Sequence, residues 1–226
     1  MNSANSEGLL KAQTQTITII IIAGIGISLV GVAYSWGMPM IQKRTTLNDY
    51  TSVLSFIQNL DSKITGIANS MAGQEEISIP KGILTVIPYD AVHPDDPAQL
   101  HPDRNSIVLE YIASQPMMVD GSIYLETDDI GEVALYGEAK PRIITLSAQS
   151  MGTGKYKYKF KLHYRELDTQ VSPKKGYLIR LSAITATGDS RVRVSFDQTG
   201  DNPEVISGGA HNTGDLIATY VNILAE

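Results

Sequence analysis

Ile17-Thr-Ile-Ile-Ile-Ile-Ala-Gly-Ile-Gly-Ile-Ser-Leu-Val-Gly-Val32 decides how this chain is organised. No charged residue lies between Lys11 and Lys43, and the four consecutive isoleucines, Ile19 to Ile22, leave the segment without a polar face. A helix crossing a bilayer needs about 20 apolar residues, and this run is long enough to span with some tilt. A surface helix of a globular domain would keep a solvated side, whereas one apolar all round is buried in a large core or spans a membrane. Tyr34 and Trp36 fall where aromatic residues collect at a membrane interface, and Pro39 follows as a site for a kink. Gly24, Ser28, Gly31 and Ser35 recur at steps of four, three and four, so one face of the helix carries small residues that let another helix approach.

Downstream of Lys43-Arg44 the pattern changes to an amphipathic helix. Leu47, Tyr50, Leu54, Ile57, Ile64 and Met71 recur at helical steps, Asn48, Asp49, Asp61 and Lys63 fit a solvated face, and Gly73 is a stop signal. From Glu76 onward the signals are strands: 83–87, 106–112, 122–127, 156–164, 177–187, 191–196 and 216–224 mix β-branched or aromatic residues with turn residues between them. Thr187-Gly-Asp-Ser190 is expected to close a hairpin. Short strands at this spacing predict an antiparallel β-sandwich-like domain. The expected fold class is therefore α+β: a long N-terminal helix, transmembrane in its first part and an amphipathic stem in its second, packed on that domain. The expected boundaries are a leader over 1–12, a transmembrane helix over 13–42, a stem over 43–73 and an extracytoplasmic β-rich domain over 74–226.

The residues before the apolar run carry further information. Ser6-Glu-Gly-Leu-Leu-Lys-Ala-Gln-Thr14 is a short polar leader ending in Lys11-Ala12-Gln13. It resembles the class III signal peptides of archaeal type IV pilin-like proteins. That resemblance implies cleavage by a prepilin peptidase between Ala12 and Gln13, with the apolar helix retained in the mature chain. It also implies a pilin layout, a cell-surface location, a place in or beside a filament, and other pilin-like subunits or further copies of the chain as partners. Polymerising pilins usually carry a carboxylate at the fifth mature position; here that position is Ile17.

Lys and Arg are one more numerous just after the apolar run than before it, which by itself would put the C-terminal side in the cytoplasm. The difference is a single charge, and the large acidic β-rich region that follows suits the outside, so the β domain is expected to be extracytoplasmic.

Composition narrows the chemistry. With a net charge of −6 the chain offers no overall electrostatic footprint for nucleic acid. With no cysteine it has neither disulfides nor thiolate ligands. No catalytic signature stands out, and the four histidines, His93, His101, His163 and His211, are scattered, so the expectation is a non-enzyme without cofactor or metal. The loop from Tyr89 to Asp103 is rich in Asp, His and Pro but lacks the spacing of an EF-hand, and it fits an ordinary loop. Lys155, Lys157, Lys159 and Lys161 alternate with Tyr156, Tyr158, Phe160 and Leu162, which places the lysines on one strand face and the apolar residues in a core. The lysine face has two readings: a basic stripe for an acidic polymer, or an edge strand guarded against pairing.

The leading expectation is a membrane-anchored, pilin-like surface protein with a structural, adhesive or assembly role. The alternative is a β-sandwich binding module unrelated to pili, either anchored by the helix or secreted after cleavage at Ala33-Tyr34-Ser35 before Trp36. A third reading makes the chain an accessory subunit of a membrane enzyme complex.

Overall fold

The computed structural model describes residues 3–118, 120–126, 130–152, 154–211 and 214–226, with the backbone alone described at 3–14, 16, 97 and 185. Chain order gives α1 (Ser3–Ser70), β1 (Gln74–Ser78), β2 (Ile83–Ile87), β3 (Val92–His93), β4 (Asp96–Leu100) and β5 (Ser106–Ala113). Next come β6 (Gly121–Tyr124), β7 (Val133–Leu135), β8 (Arg142–Ser150), β9 (Tyr156–Tyr164) and β10 (Glu166–Asp168). The last are β11 (Lys175–Thr185), β12 (Thr187–Gly188), β13 (Arg191–Phe196), β14 (Glu204–Ile206) and β15 (Asp215–Ala225). The fold is α+β, as expected. Two compact units divide the chain, Met1–Thr45 and Thr46–Glu226, and α1 contributes to both.

In the second unit α1 is an amphipathic stem. Thr46, Val53, Ile57, Leu60, Ile64 and Ile67 are buried, at steps of three, four or seven that keep one face inward. Each large apolar side chain in that stripe contributes roughly 1.5–3 kcal/mol relative to exposure. Leu47 and Met71, expected in the stripe, are instead exposed. The helix stops at Ser70, earlier than Gly73, because Met71 already takes a left-handed φ of 53° that an α-helix cannot continue. Asp49 and Asp61, expected on the solvated face, turn toward cations instead: Lys81 for Asp49 and Arg142 for Asp61.

The stem shares one core with two sheets. One sheet has the order β12-β2-β5-β9-β8-β6 and is antiparallel throughout. Its inner face is supplied by alternate residues: Leu84 and Val86 on β2, Ile107 and Leu109 on β5, Ile144 and Leu146 on β8, and Tyr158, Phe160 and Leu162 on β9. The other sheet has the order β1-β13-β15-β11-β10-β7, with β14 also on β15. Its core face is formed by Ile179, Leu181, Val192, Val194, Val221 and Ile223.

This second sheet departs from the antiparallel expectation. β11 and β15 run parallel, as do β7 and β10. The expected hairpin at Thr187–Ser190 does not form. The chain leaves β11, pairs Thr187-Gly188 with β2 of the other sheet, and returns as β13, while β15 lies between β11 and β13. Gly188 is needed at that crossover, since a Cβ there would sit 2.3 Å from the Glu226 backbone nitrogen. β3 and β4 form a small separate hairpin within the stretch expected to be a loop.

Candidate functional site

The N-terminal unit is a helix whose described large apolar side chains are exposed from Ile17 to Trp36. Its large apolar side chains from Ile17 to Val32 are between 55% and 75% exposed, and the helix is long and apolar enough to cross a membrane. Gly24 and Gly31 lie on open surface, because a Cβ built on either meets nothing within 4 Å. The hydroxyls on the same face need no outside partner: Ser28 donates to the Gly24 carbonyl (2.8 Å) and Ser35 to the Val32 carbonyl (2.9 Å). Such a face presents only small, satisfied groups to a neighbouring helix. The backbone stays helical through Lys11, Ala12 and Gln13, whose side chains lie outside the described residues. It also stays helical through Pro39, which has no N–H to give the Ser35 carbonyl.

In the second unit the lysine alternation holds on β9, with Tyr158, Phe160 and Leu162 fully buried opposite Lys157, Lys159 and Lys161. Lys155 lies before the strand, in a tight loop closed by its carbonyl accepting from Met151 N–H (2.9 Å). β9 is an interior strand between β5 and β8, so the lysines do not guard an edge. They meet carboxylates: Lys157 with Glu110 at 2.6 Å, and Lys161 and Lys159 with Asp103 at 2.9 and 3.7 Å. Burial pushes the Asp103 carboxyl up, but the Lys161 hydrogen bond and both lysine charges outweigh it and hold it below the usual value.

Where β9 ends, two scattered histidines come together. A cleft of about 240 Å³ is lined by Tyr89, Arg104, Glu132, His163, Arg165, Glu166 and His211, among others. Arg104 lies 4.9 Å over the Tyr89 ring, which also receives Arg180 at 4.2 Å. Arg165 is buried, donating through Nη1 to the Gly131 carbonyl (3.0 Å) and through Nε to the Lys140 carbonyl (3.3 Å). Glu166 Oε1 accepts from the His211 N–H at 2.9 Å. Burial pushes the Glu166 carboxyl up and the neighbouring Asp168 carboxyl adds to the rise, against the opposing His211 N–H. His163 is driven the other way, its pKa lowered by burial and by Lys161. The Ser106 hydroxyl donates to the Arg104 carbonyl (3.3 Å) and lies 3.0 Å from His163 Nδ1.

The sequence signal for this cleft is a broken alternation. Through Leu162 polar and apolar residues take turns, but in His163-Tyr-Arg-Glu166 polar groups fall on both faces, which a half-buried strand does not need. A second, apolar groove of about 610 Å³ opens where the core face of the second sheet outruns the stem, with Leu167, Tyr177 and Ile217 in its lining. Tyr136 and Tyr177 pack there with ring centroids 4.8 Å apart. Among the described residues no group of three or more His, Asp or Glu side chains is placed to hold a metal ion. Comparison with protein-family models, with curated proteins and with solved structures found no match to this chain.

Proposed function

We propose that the chain is a membrane-anchored, pilin-like surface protein: processed after Ala12, held by a single helix, and presenting its β-rich unit outside the cytoplasm for a structural or adhesive role. The observation that carries this reading is the uncovered, uncharged helix that follows Lys11-Ala12-Gln13. Apolar side chains as exposed as Ile27 are stable only against lipid or other apolar helices. The small-residue face through Gly24 and Gly31 supports lateral contact between helices. Ile17 stands where polymerising pilins usually have a carboxylate, so the reading places the chain equally among filament subunits and accessory pilin-like proteins.

The test is the N-terminal residue of the native protein, measured by mass spectrometry on membrane and medium fractions. A membrane-bound chain starting at Gln13 is the expected result. A start at Trp36 in the medium would replace this reading with a secreted module, and an intact Ala12-Gln13 bond in the membrane fraction would leave a plain signal anchor.

A further inference from the structure

The second sheet outruns the helix that covers it. α1 ends at Ser70, but the core face of the sheet continues as a row of four side chains in register across neighbouring strands. These are Val205 on β14, Ile217 on β15, Tyr177 on β11 and Leu167 on β10. They floor the groove of about 610 Å³, with Ala68 and Met71 around the end of the stem and Tyr136 and Pro141 of the β7–β8 loop in its walls. That volume lies within the roughly 300–1,000 Å³ of small-molecule sites. Met71, Tyr136 and Val205 are exposed, so the groove is open at its rim.

Charge and shape together select what fits. Among the described residues no Asp, Glu, Lys, Arg or His lines the groove. An ion inside it would lose its hydration and meet no counter-charge. The row crosses three strand spacings of about 4.8 Å, which makes it about 14 Å long. An extended peptide of that length brings about four residues, each with an N–H and a C=O to satisfy. Along the row β10, β11 and β15 are already paired on both sides, so the floor has no backbone group left for such a peptide. A helix about 10 Å across and 14 Å long fills roughly 1,100 Å³, nearly twice the groove.

A hydrocarbon chain meets neither obstacle. It carries no polar group along its length, and at about 1.3 Å per carbon about eleven carbons span the row. One row makes a track for one chain, and a two-chain lipid would leave its second chain in water. We propose that the groove floored by Val205, Ile217, Tyr177 and Leu167 binds the hydrocarbon chain of an uncharged, single-chain compound. The groove lies wholly within Thr46–Glu226, and binding there is independent of how the N-terminus is processed.

The experiment photolabels the full chain in lipid nanodiscs with undecan-1-ol carrying a diazirine at its chain end, and maps the labelled peptides by mass spectrometry. Label is expected on the peptides that contain Tyr136, Tyr177 and Val205. Unmodified undecan-1-ol should displace it, and undecanoate and undecylammonium should not. Val205→Asp sets a charge in the floor, and Ala139→Trp fills the groove from the loop side. Each should cut that label at least about tenfold. Neither residue belongs to the main core, so the fold should survive both changes. Label on Ile17–Val32 is the internal control, because neither substitution lies there. Absence of label from the groove peptides, equal label in wild type and both variants, or equal displacement by the charged analogues would overturn the proposal. So would displacement by a capped tetra-alanine peptide alone, which would mark a peptide site. Label from a diazirine phospholipid of the nanodisc in place of the alcohol would assign the groove to bilayer lipid and overturn it as well.

Discussion

Asn105 joins the two sheets of the second unit through its side chain. Its Nδ2 donates to the Tyr164 carbonyl (3.0 Å) on β9 and to the Ile179 carbonyl (2.8 Å) on β11, and its Oδ1 accepts from Leu181 N–H (2.9 Å). It does so from a left-handed φ of 58°, which asparagine tolerates better than most residues, and it is 2% exposed. Asn105→Ala would strand three buried backbone groups and keep the strained φ. The expected loss is about 3 kcal/mol or more, read as a drop in the urea midpoint. Tyr111 is the opposite case. Its ring stacks on Tyr158 at 5.4 Å, yet its buried hydroxyl has no hydrogen-bond partner among the described residues, and burial pushes the phenol up. Tyr111→Phe keeps the ring contacts and removes the unsatisfied group, so stability should hold or rise by up to about 1 kcal/mol. A clear loss would mean that this hydroxyl is satisfied in solution. Neither residue stands out in the sequence: Asn105 looks like loop, and Tyr111 is one of several aromatics in strands. Their roles are set by partners as many as 76 positions away.

At the scale of elements, the stem is tied to the antiparallel sheet by a half-buried ionic cluster. Arg142 on β8 donates to Asp61 at 2.6 Å and pairs with Glu126 at 2.5 Å. Tyr164 donates to Asp61 at 3.0 Å, and Gln58 on the stem donates to Glu126. Burial pushes the Glu126 carboxyl up, but the hydrogen bonds from Gln58 and Arg142 outweigh that and leave it below the usual value. A depressed carboxyl adds stability above its unfolded pKa of about 4.3 and loses it as pH falls through the folded value. Wild type should therefore be more stable than Glu126→Gln at pH 7, with the gap closing below about pH 4.3. Urea titrations of both proteins from pH 7 to pH 3 measure this, and a gap constant across that range would refute the pairing. The strictly alternating β9 is legible in the sequence, and 156–164 is both the expected and the observed range. β8 is harder to see, because Ile143 and Ile144 are both buried, which breaks the alternation, and its second half is small and polar, Ser147-Ala-Gln-Ser150. Asp61 resembles a surface residue until its cation, 81 positions on, is brought against it. The placement of β15 between β11 and β13 is likewise invisible to local patterns, which show that strands exist and say little about their order.

The whole molecule consists of a unit with its own core and a unit whose apolar surface is uncovered, and the apolar run between Lys11 and Lys43 makes that contrast legible in composition alone. Lipid covers such a helix as well as protein does, so burial of apolar area gives two helices little reason to associate within a bilayer. What remains is close packing, which small residues permit. Gly24 and Gly31 are seven residues apart, about two helical turns, and stand on the same side. Replacing both with leucine fills that side while keeping the helix apolar and free of charge, so insertion into the bilayer should be unaffected. If lateral contact runs through this face, Gly24→Leu with Gly31→Leu should convert detergent-extracted oligomers of the full chain to monomers on chemical crosslinking. The unfolding midpoint of the β-rich unit should not move, because neither glycine contributes to its core. Oligomers that survive both substitutions would assign self-association to the β-rich unit. That outcome would fit the missing carboxylate at Ile17 and shift the proposed role from filament subunit toward a surface module that meets its partners through its sheets.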